Sequence, residues 1–187
     1  MYKICMMEDS AQRQRELEKG FLSVLNTQNY EDISVSDLCK QLWISRNCFY
    51  RYFSGKDGIL TALLDHTLMD FEASFSQYTL SRESAGEILE EFFRFWKEHK
   101  SLLDALERNS FSTFLYQRAL NFTSRETSIF SLFVLEEDKF LRNQRIQFIV
   151  CGLMTMAISW HHTKYQPAQK QMVLAARQLL TQPLFRD

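Results

Sequence analysis

Apolar residues recur along the chain at the spacing of an α-helix. Near the amino terminus, for example, Leu17, Phe21, Val24 and Leu25 fall on one helical face. The alternation that is typical of β-strands is absent, and the 187 residues include only 2 prolines and 5 glycines that would interrupt a helix. The pattern predicts an all-α protein made of helices joined by short polar links.

The helical period and the capping residues together set the expected helices. A first helix is predicted over residues 9–27, and a long helix runs from Lys56 through Phe75 without a breaker. Ser84 and Glu87 form an S-x-x-E capping box that begins a new helix. Further helices are predicted over residues 101–108, 111–120, 124–135, 138–162 and 167–181.

One segment near the amino terminus predicts two short helices around a three-residue turn. The first helix, over residues 35–42, begins with the S-x-x-D pair of Ser34 and Asp37. The second helix, over residues 46–53, has Ser45 as its N-cap. This arrangement is a helix-turn-helix, whose second helix can enter a DNA major groove.

The second helix of this pair has two different faces, because successive residues point roughly 100° apart. The face expected to pack holds Cys48, Phe49, Tyr52 and Phe53, and the face expected to remain free holds Arg46, Asn47, Tyr50 and Arg51. Arg can bond bidentately to guanine and Asn to adenine, and Tyr can reach a phosphate or a thymine methyl group. The free face therefore predicts contacts with duplex DNA.

Positive charge is concentrated in the same segment. The whole chain has a formal net charge of −1. Residues 34–56 alone have a net charge of +3, from Lys40, Arg46, Arg51 and Lys56 against Asp37. Lys56 also opens the long helix, where its ammonium group and the free backbone amides can together hold a phosphate. A local cationic patch favours DNA binding that depends on salt concentration.

The segment resembles the DNA-binding domain of the TetR family of transcriptional regulators. The family pattern is an apolar helix, a turn ending in Ser, an aromatic-Tyr-x-Tyr/His-Phe stretch and a Lys-Asp/Glu-x-Leu stretch. It is met by Val35, Leu38, Ile44, Ser45, Phe49, Tyr50, Arg51, Tyr52, Phe53, Lys56, Asp57, Ile59 and Leu60. The resemblance implies that Tyr50, Tyr52 and Lys56 hold the DNA backbone and that Arg46, Asn47 and Arg51 lie nearest the bases. Ser34, Ser36 and Ser45 complete the expected DNA contacts.

One position departs from the family pattern. The family usually has glycine or another small residue at the turn, whereas this chain has Trp43. The indole must either pack over the turn or face the DNA. Both placements stay open, and with them the pose of the recognition helix.

The rest of the chain is expected to form a larger helical body. We place the domain boundary near Asp65, which gives a DNA-binding domain of residues 1–64 and an effector-binding and dimerisation domain of residues 65–187. In the TetR family the body commonly encloses a pocket for an inducer, which implies an apolar or aromatic small molecule here. The candidate pocket residues are Phe71, Phe75, Phe92, Trp96, Phe114 and Phe133. The alternative is that these rings simply fill the core.

The last two helices predict a dimer interface. Residues 148–160 are apolar on nearly every helical face, so a second element must cover the side that the core does not use. Two such helices from each of two subunits would build a four-helix interface. The candidate interface residues are Phe148, Gly152, Leu153, Met156, Trp160, Val173 and Leu180. The alternative is a helix buried entirely within one subunit.

Other classes of protein find little support in the sequence. The four cysteines show no C-x-x-C spacing, and the adjacent His161 and His162 point in different directions, so no metal site or other cofactor is expected. No nucleotide-binding or catalytic motif is present, which argues against an enzyme. The longest apolar stretch, residues 148–158, is too short to span a bilayer, and we expect a cytoplasmic protein with no membrane partner.

Together these features predict a TetR-like regulator, with a repressor as the commoner outcome in the family. We expect a homodimer on a palindromic double-stranded DNA operator, released by a small-molecule effector. The alternative is a transcriptional activator, or a regulator whose body binds a protein coregulator instead of a small molecule.

Overall fold

The computed structural model describes residue 2 and residues 8–75, 85–123 and 138–181. Across these ranges the chain is helical, and β-structure is limited to one isolated antiparallel bridge between Tyr2 and Phe53. The predicted all-α class is therefore confirmed. The helices are α1 (Glu8–Leu25), α2 (Val35–Gln41), α3 (Arg46–Tyr52), α4 (Lys56–Ser74), α5 (Ala85–Glu98), α6 (Lys100–Arg108), α7 (Ser112–Thr123), α8 (Lys139–His162) and α9 (Gln169–Thr181).

These bounds differ from the predicted ones by three residues or fewer. The cap expected from Ser84 and the helix expected over residues 124–135 lie outside the described residues. Asp138, the first residue of the predicted helix, is the N-cap of α8, because its side chain accepts a hydrogen bond from the Leu141 N–H at 2.7 Å. Within the described ranges, none of the helices combines the length and apolar character needed to cross a bilayer.

The chain divides into two compact units within α4. The head unit comprises residues 1–67 and 101–112, and the body unit comprises residues 68–100 and 113–187, so far as the structure describes them. The division between Thr67 and Leu68 lies close to the boundary expected near Asp65. The head unit also takes in residues 101–112, which the sequence places in the carboxy-terminal domain.

The head unit is built around an apolar core beneath the helix-turn-helix. Each helix turns one apolar stripe inward, as the 3.6-residue period requires. The core residues that are at most 3% exposed include Leu17, Phe21, Leu25, Ile33, Leu38, Phe49, Phe53, Ile59, Leu60 and Leu64. Both helices of the helix-turn-helix contribute to this core, so their orientation is fixed by packing.

Residues 101–112 are tied to the rest of the head by Asn109. Its side-chain oxygen accepts a hydrogen bond from the Tyr30 N–H at 2.6 Å, and its Nδ2 donates to the Leu25 carbonyl at 3.4 Å. The Phe111 ring meets the Tyr30 ring edge-on, with centroids 4.9 Å apart. Asn109 thereby satisfies a carbonyl at the end of α1 that has no partner within that helix.

In the body unit, α5 packs against α8 and α9. Half of α5 is buried, through Ile88, Leu89, Glu91, Phe92, Phe93, Phe95 and Trp96. Phe71 meets Phe92 and Phe95 edge-on at 5.8 and 5.1 Å between ring centroids, and Phe93 meets Trp160 in the same way at 5.7 Å. Interlocking aromatic rings therefore supply much of the body core.

Candidate nucleic-acid interface

Both helices of the helix-turn-helix begin on a serine, as predicted. The Ser34 hydroxyl accepts a hydrogen bond from the Asp37 N–H at 3.1 Å and donates to the Asp37 carboxylate at 2.6 Å. The Ser34 hydroxyl, together with the Lys40 ammonium group, lowers the pKa of the Asp37 carboxyl. The Ser45 hydroxyl accepts from the Cys48 N–H at 3.1 Å. These bonds satisfy amides that lack partners within the helices and fix where α3 begins.

The turn between α2 and α3 is a Schellman motif. The Trp43 N–H donates to the Lys40 carbonyl at 3.2 Å, and the Ile44 N–H donates to the Cys39 carbonyl at 3.0 Å. This motif requires a left-handed backbone at Trp43, whose φ is 55°. The indole is 92% exposed, so it does not pack over the turn.

The two faces of α3 differ as their spacing predicts. On the packed face, Phe49 and Phe53 are at most 1% exposed. On the other face, Arg46, Asn47, Tyr50 and Arg51 are all exposed. The guanidinium carbon of Arg46 lies 5.9 Å from the centroid of the Tyr50 ring, so these two side chains stack one helical turn apart. The exposed face of α3 is therefore cationic, aromatic and rich in hydrogen-bond donors.

Tyr52 lies in a different environment from the one that the family resemblance implies. It is only 7% exposed, and its ring centroid lies 6.1 Å from that of Phe53. The helical period explains this placement, since Tyr52 shares the packed face with Phe49. We correct its expected role accordingly: Tyr52 belongs chiefly to the head core.

Lys56 opens α4 and makes contacts within the head unit. Its Nζ donates to the Tyr30 carbonyl at 3.0 Å and lies 4.3 Å from the centroid of the Tyr30 ring. The Tyr30 hydroxyl in turn donates a short hydrogen bond to the Asp57 carboxylate. Burial, followed by this hydrogen bond, raises the pKa of the Tyr30 phenol. Because an ammonium group has three N–H donors, Lys56 can hold this position and still bind an anion.

The three serines expected to contact DNA lie at the starts of the two helices, Ser34 and Ser36 at α2 and Ser45 at α3. Ser34 and Ser45 are exposed, and Ser36 is half-buried in the first turn of α2. Ser34 and Ser45 already serve as N-caps, so their hydroxyls have a structural role that is independent of any ligand.

The candidate effector residues separate into four groups. A small enclosed cavity of about 20 Å³ in the body unit is lined in part by Phe71, Phe92 and Trp96. Phe75 is buried beside Phe71, with ring centroids 4.9 Å apart, but it does not line the cavity. Phe114 is half-exposed on α7, and Phe133 lies outside the described residues. Half of the expected pocket residues therefore meet at one place.

Four of the seven candidate dimer residues are accessible. Phe148 is 68% exposed, Gly152 is exposed, and Met156 and Leu180 are half-buried. Four large apolar residues outside the seven candidates are also exposed on α8 and α9: Phe140, Leu141, Leu174 and Leu179. These residues extend the apolar surface around Phe148.

The other three candidate dimer residues need correction, because they lie in the body core. Leu153, Trp160 and Val173 are 3%, 2% and 7% exposed. The Trp160 indole N–H donates to the Pro167 carbonyl within the same unit at 2.6 Å. The helical period accounts for this, since Leu153 and Trp160 are seven residues apart and share the buried stripe of α8.

Comparison with known proteins adds a family to this geometry. Residues 22–63 match the family model described as "Bacterial regulatory proteins, tetR family". An HTH-type transcriptional regulator from Staphylococcus aureus is 22% identical over 164 residues, which are 84% of this chain and 88% of that protein. The HTH-type transcriptional regulator EthR from Mycolicibacterium smegmatis is 38% identical over 52 residues, 28% of this chain and 24% of EthR.

The fold is also shared with solved structures. The structure of Lin0861 from Listeria innocua superimposes with a TM-score of 0.71 at 18% identity, covering 95% of this chain and 93% of that one. The helix-turn-helix and the matched residues together define a transcriptional regulator with a DNA-binding domain. Residues 22–63 thus form a DNA-binding domain of the TetR family, and most of the chain is similar to an HTH-type transcriptional regulator. That family consists of transcriptional regulators, which are generally not enzymes.

Proposed function

We propose that the protein is a homodimeric repressor that binds a palindromic operator through α3 and is released by a small-molecule effector. The division of α3 into two faces carries this proposal. Phe49 and Phe53 are at most 1% exposed, whereas Arg46, Asn47 and Arg51 are exposed. A helix held in this way presents its polar side chains in a fixed direction, which reading a DNA groove requires.

We propose a separate task for each part of the exposed face of α3. Arg46 and Asn47 stand in its first turn, the end of a recognition helix that reaches base edges, and Arg51 follows on the same face. Tyr50, Lys56 and the serines at positions 34, 36 and 45 contact phosphates and set the register of the helix on the duplex. Tyr52 is left out of these contacts because it is buried.

We infer that a second copy of the chain covers α8 and α9. Large apolar side chains on these helices, from Leu141 at 41% to Phe140 at 73%, are exposed. An exposed stripe also runs along α8 at alternating spacings of three and four residues: Leu141, Arg145, Phe148, Gly152, Thr155 and Ser159. An open groove beside Phe148 is lined by Leu179 and Leu180. A clustered apolar surface of this kind is typical of a protein interface.

Gly152 supports the same inference. A Cβ built at this position would meet nothing within 4 Å among the described residues of its own subunit, so packing among them gives no reason for glycine. A second helix lying against α8 would give one, because glycine allows two helix backbones to approach closely. Two copies would then place two recognition helices in successive major grooves, with half-sites roughly 34–36 Å apart.

The cavity beside Trp96 is the proposed effector site. Its volume of about 20 Å³ suits about one water molecule, whereas drug-sized ligands occupy roughly 300–1,000 Å³. An effector must therefore part the surrounding rings. The Trp96 Nε1 is buried and has no hydrogen-bond partner among the described residues. An apolar or aromatic compound that carries a hydrogen-bond acceptor would satisfy it.

Release from DNA then follows as a shift between two conformations. An effector that binds only an expanded body unit favours that state by its difference in affinity for the two states. If the heads of the expanded dimer are wrongly spaced for the operator, DNA affinity falls by the same coupling free energy. We propose that α4 transmits the change, because it belongs to both units.

One alternative is favoured by the small volume of the cavity, which leaves no room for a drug-sized ligand unless the rings part. In this alternative the body binds a protein coregulator, and the protein either activates or represses transcription. Thermal unfolding separates the two possibilities. A small-molecule regulator is stabilised by one of a panel of apolar compounds that contain an acceptor. A coregulator-dependent protein is stabilised only by its protein partner.

The DNA-binding proposal is tested by selecting duplexes from a random-sequence pool with wild-type protein. Binding of a selected duplex is then compared for wild type, Arg51→Ala and Arg108→Ala. Arg108 is an exposed arginine on α6, outside the proposed DNA and dimer surfaces, so its variant has the same change in net charge. We expect Arg51→Ala to lose about 1–3 kcal/mol of binding free energy and Arg108→Ala to bind as wild type. Equal binding by all three proteins would contradict the assignment of this face.

A further inference from the structure

We propose that Trp43 is an additional DNA contact, which packs on the sugar-phosphate backbone beside α3. This inference rests on the proposed binding of DNA by α3. It concerns a residue that departs from the family pattern, since small residues are usual at this turn and Trp43 is among the largest side chains. The contact would therefore be a property of this chain.

Within the part of the chain that the structure describes, packing does not account for a tryptophan at position 43. Its backbone occupies the left-handed position of a Schellman motif, with φ of 55°, where glycine is the favoured residue. Its indole is 92% exposed, whereas the other two tryptophans, Trp96 and Trp160, are 1% and 2% exposed. The chain thus accepts both an unfavourable backbone and an exposed apolar ring at one position. Such a combination points to a function outside the subunit.

The position of Trp43 in the chain brings it within reach of DNA. It precedes Arg46 by three residues, so the two Cα atoms are at most about 11 Å apart. The major groove is about 12 Å wide, so each bordering strand lies about 6 Å from the groove centre. With the start of α3 in the groove, an exposed indole at the preceding turn can meet one of these strands.

The chemistry of the indole defines the kind of contact. Its ring can cover a deoxyribose, and its Nε1–H is a hydrogen-bond donor that can bond to a phosphate oxygen. Because the side chain is neutral, the contact displaces no counterion. Trp43 should therefore raise affinity equally for different sequences, without changing how steeply affinity falls with salt.

Trp43→Gly tests the contribution to affinity. Glycine suits the left-handed backbone, so the variant is expected to keep or raise its melting temperature. Its affinity for a duplex selected by the wild-type protein should fall roughly three- to tenfold, the range expected for one neutral contact. The slope of log affinity against log salt concentration should match that of wild type.

Tryptophan fluorescence tests the contact itself. Because Trp96 and Trp160 are buried, acrylamide quenching of the wild-type protein reports mainly on Trp43. Adding the selected duplex should reduce quenching to the level of Trp43→Gly. Arg51→Ala, mixed with the same duplex at a concentration where only wild type is bound, should remain as quenchable as free protein.

The outcomes separate this inference from the proposed function. Wild-type affinity in Trp43→Gly, beside weakened binding in Arg51→Ala, would overturn the Trp43 contact and leave DNA binding by α3 intact. An indole that stays fully quenchable in the wild-type complex would do the same. A wild-type protein that selects no duplex at all would overturn both.

Discussion

Ring contacts occur in both units, but in the described residues several hydrogen bonds that link distant segments are partly buried in the head, whereas two such bonds in the body are exposed. In the head, polar side chains bond across long stretches of chain: Glu18 accepts from His66 with an oxygen–nitrogen distance of 2.9 Å, and Asn109 accepts from the Tyr30 N–H at 2.6 Å. In the body, helices meet through the edges of rings such as Phe93 and Trp160, whose centroids are 5.7 Å apart. Hydrogen bonds demand one geometry, whereas ring contacts tolerate several.

This difference matches the proposed tasks of the two units. A recognition helix must be held in one orientation, because a base contact depends on direction as well as distance. The proposed effector pocket is nearly closed and would have to open, which is easier among rings than among paired polar groups. The contrast therefore predicts where substitutions will be costly and which property each one will change.

The largest effect is expected inside the head. Phe49→Ala removes a fully buried ring and should lower the free energy of unfolding by about 3–5 kcal/mol, with loss of DNA binding. Tyr50→Ala, at the neighbouring position that is 44% exposed, should weaken DNA binding with little change in stability. Denaturant unfolding measures the stability of both variants, and titration of a selected duplex measures their DNA binding. Equal destabilisation by the two variants would show that α3 does not have the two faces described.

The next effect concerns the body surface. Phe148→Glu places a carboxylate at a residue that is 68% exposed, so the fold of one subunit should tolerate it. In the proposed interface that charge would be buried without a partner, at a cost of about 3 kcal/mol or more, which weakens dimerisation at least roughly a hundredfold. Sedimentation velocity measures the change, and Thr113→Glu, at an exposed site on α7, is the control. Identical dimerisation in all three proteins would remove Phe148 from the interface.

A smaller effect is expected at the cap of α3. Ser45→Ala removes the acceptor for the Cys48 N–H and should cost about 1 kcal/mol of unfolding free energy. Ser36→Ala, which removes no cap, should stay within about 0.5 kcal/mol of wild type. The same unfolding experiment compares them, and a Ser36 variant as unstable as the Ser45 variant would contradict the capping role.

The smallest effect is a dependence on pH. The folded state lowers the pKa of Asp37, so its contribution to stability is present above the usual carboxyl pKa and is lost as pH falls through the lowered value. Wild type should therefore be slightly more stable than Asp37→Asn at neutral pH, and this advantage should shrink under acidic conditions. Thermal unfolding from pH 7 to pH 3 tests this. An advantage that grows in acid would have the wrong sign.

Local features of the structure follow closely from the sequence. The ends of α3 and the burial of Phe49 are set by neighbouring residues, through capping and the helical period, so a short segment contains the needed information. The same period places Tyr52 on the packed face, whereas the family resemblance assigns it to DNA. Where the two disagree, the structure follows the period.

Long-range features could not be read in the same way. Residues 101–112 join the head unit through Asn109, whose partners at Tyr30 and Leu25 are some 80 residues away in the chain. No local pattern marks such a contact. Similarly, the apolar pattern of α8 shows that two faces need cover, but it does not show that Trp160 packs inside the subunit while Phe148 remains exposed.

The placement of α3 in a major groove is tested most directly by methylation protection. Dimethyl sulfate methylates guanine at N7, in the major groove, and adenine at N3, in the minor groove. On a selected duplex that contains guanines, wild-type protein should protect N7 atoms in two clusters about one helical turn apart, roughly 34–36 Å. Arg51→Ala should lose this protection. Protection of adenine N3 alone, or no guanine protection in a bound complex, would contradict binding by α3 in the major groove.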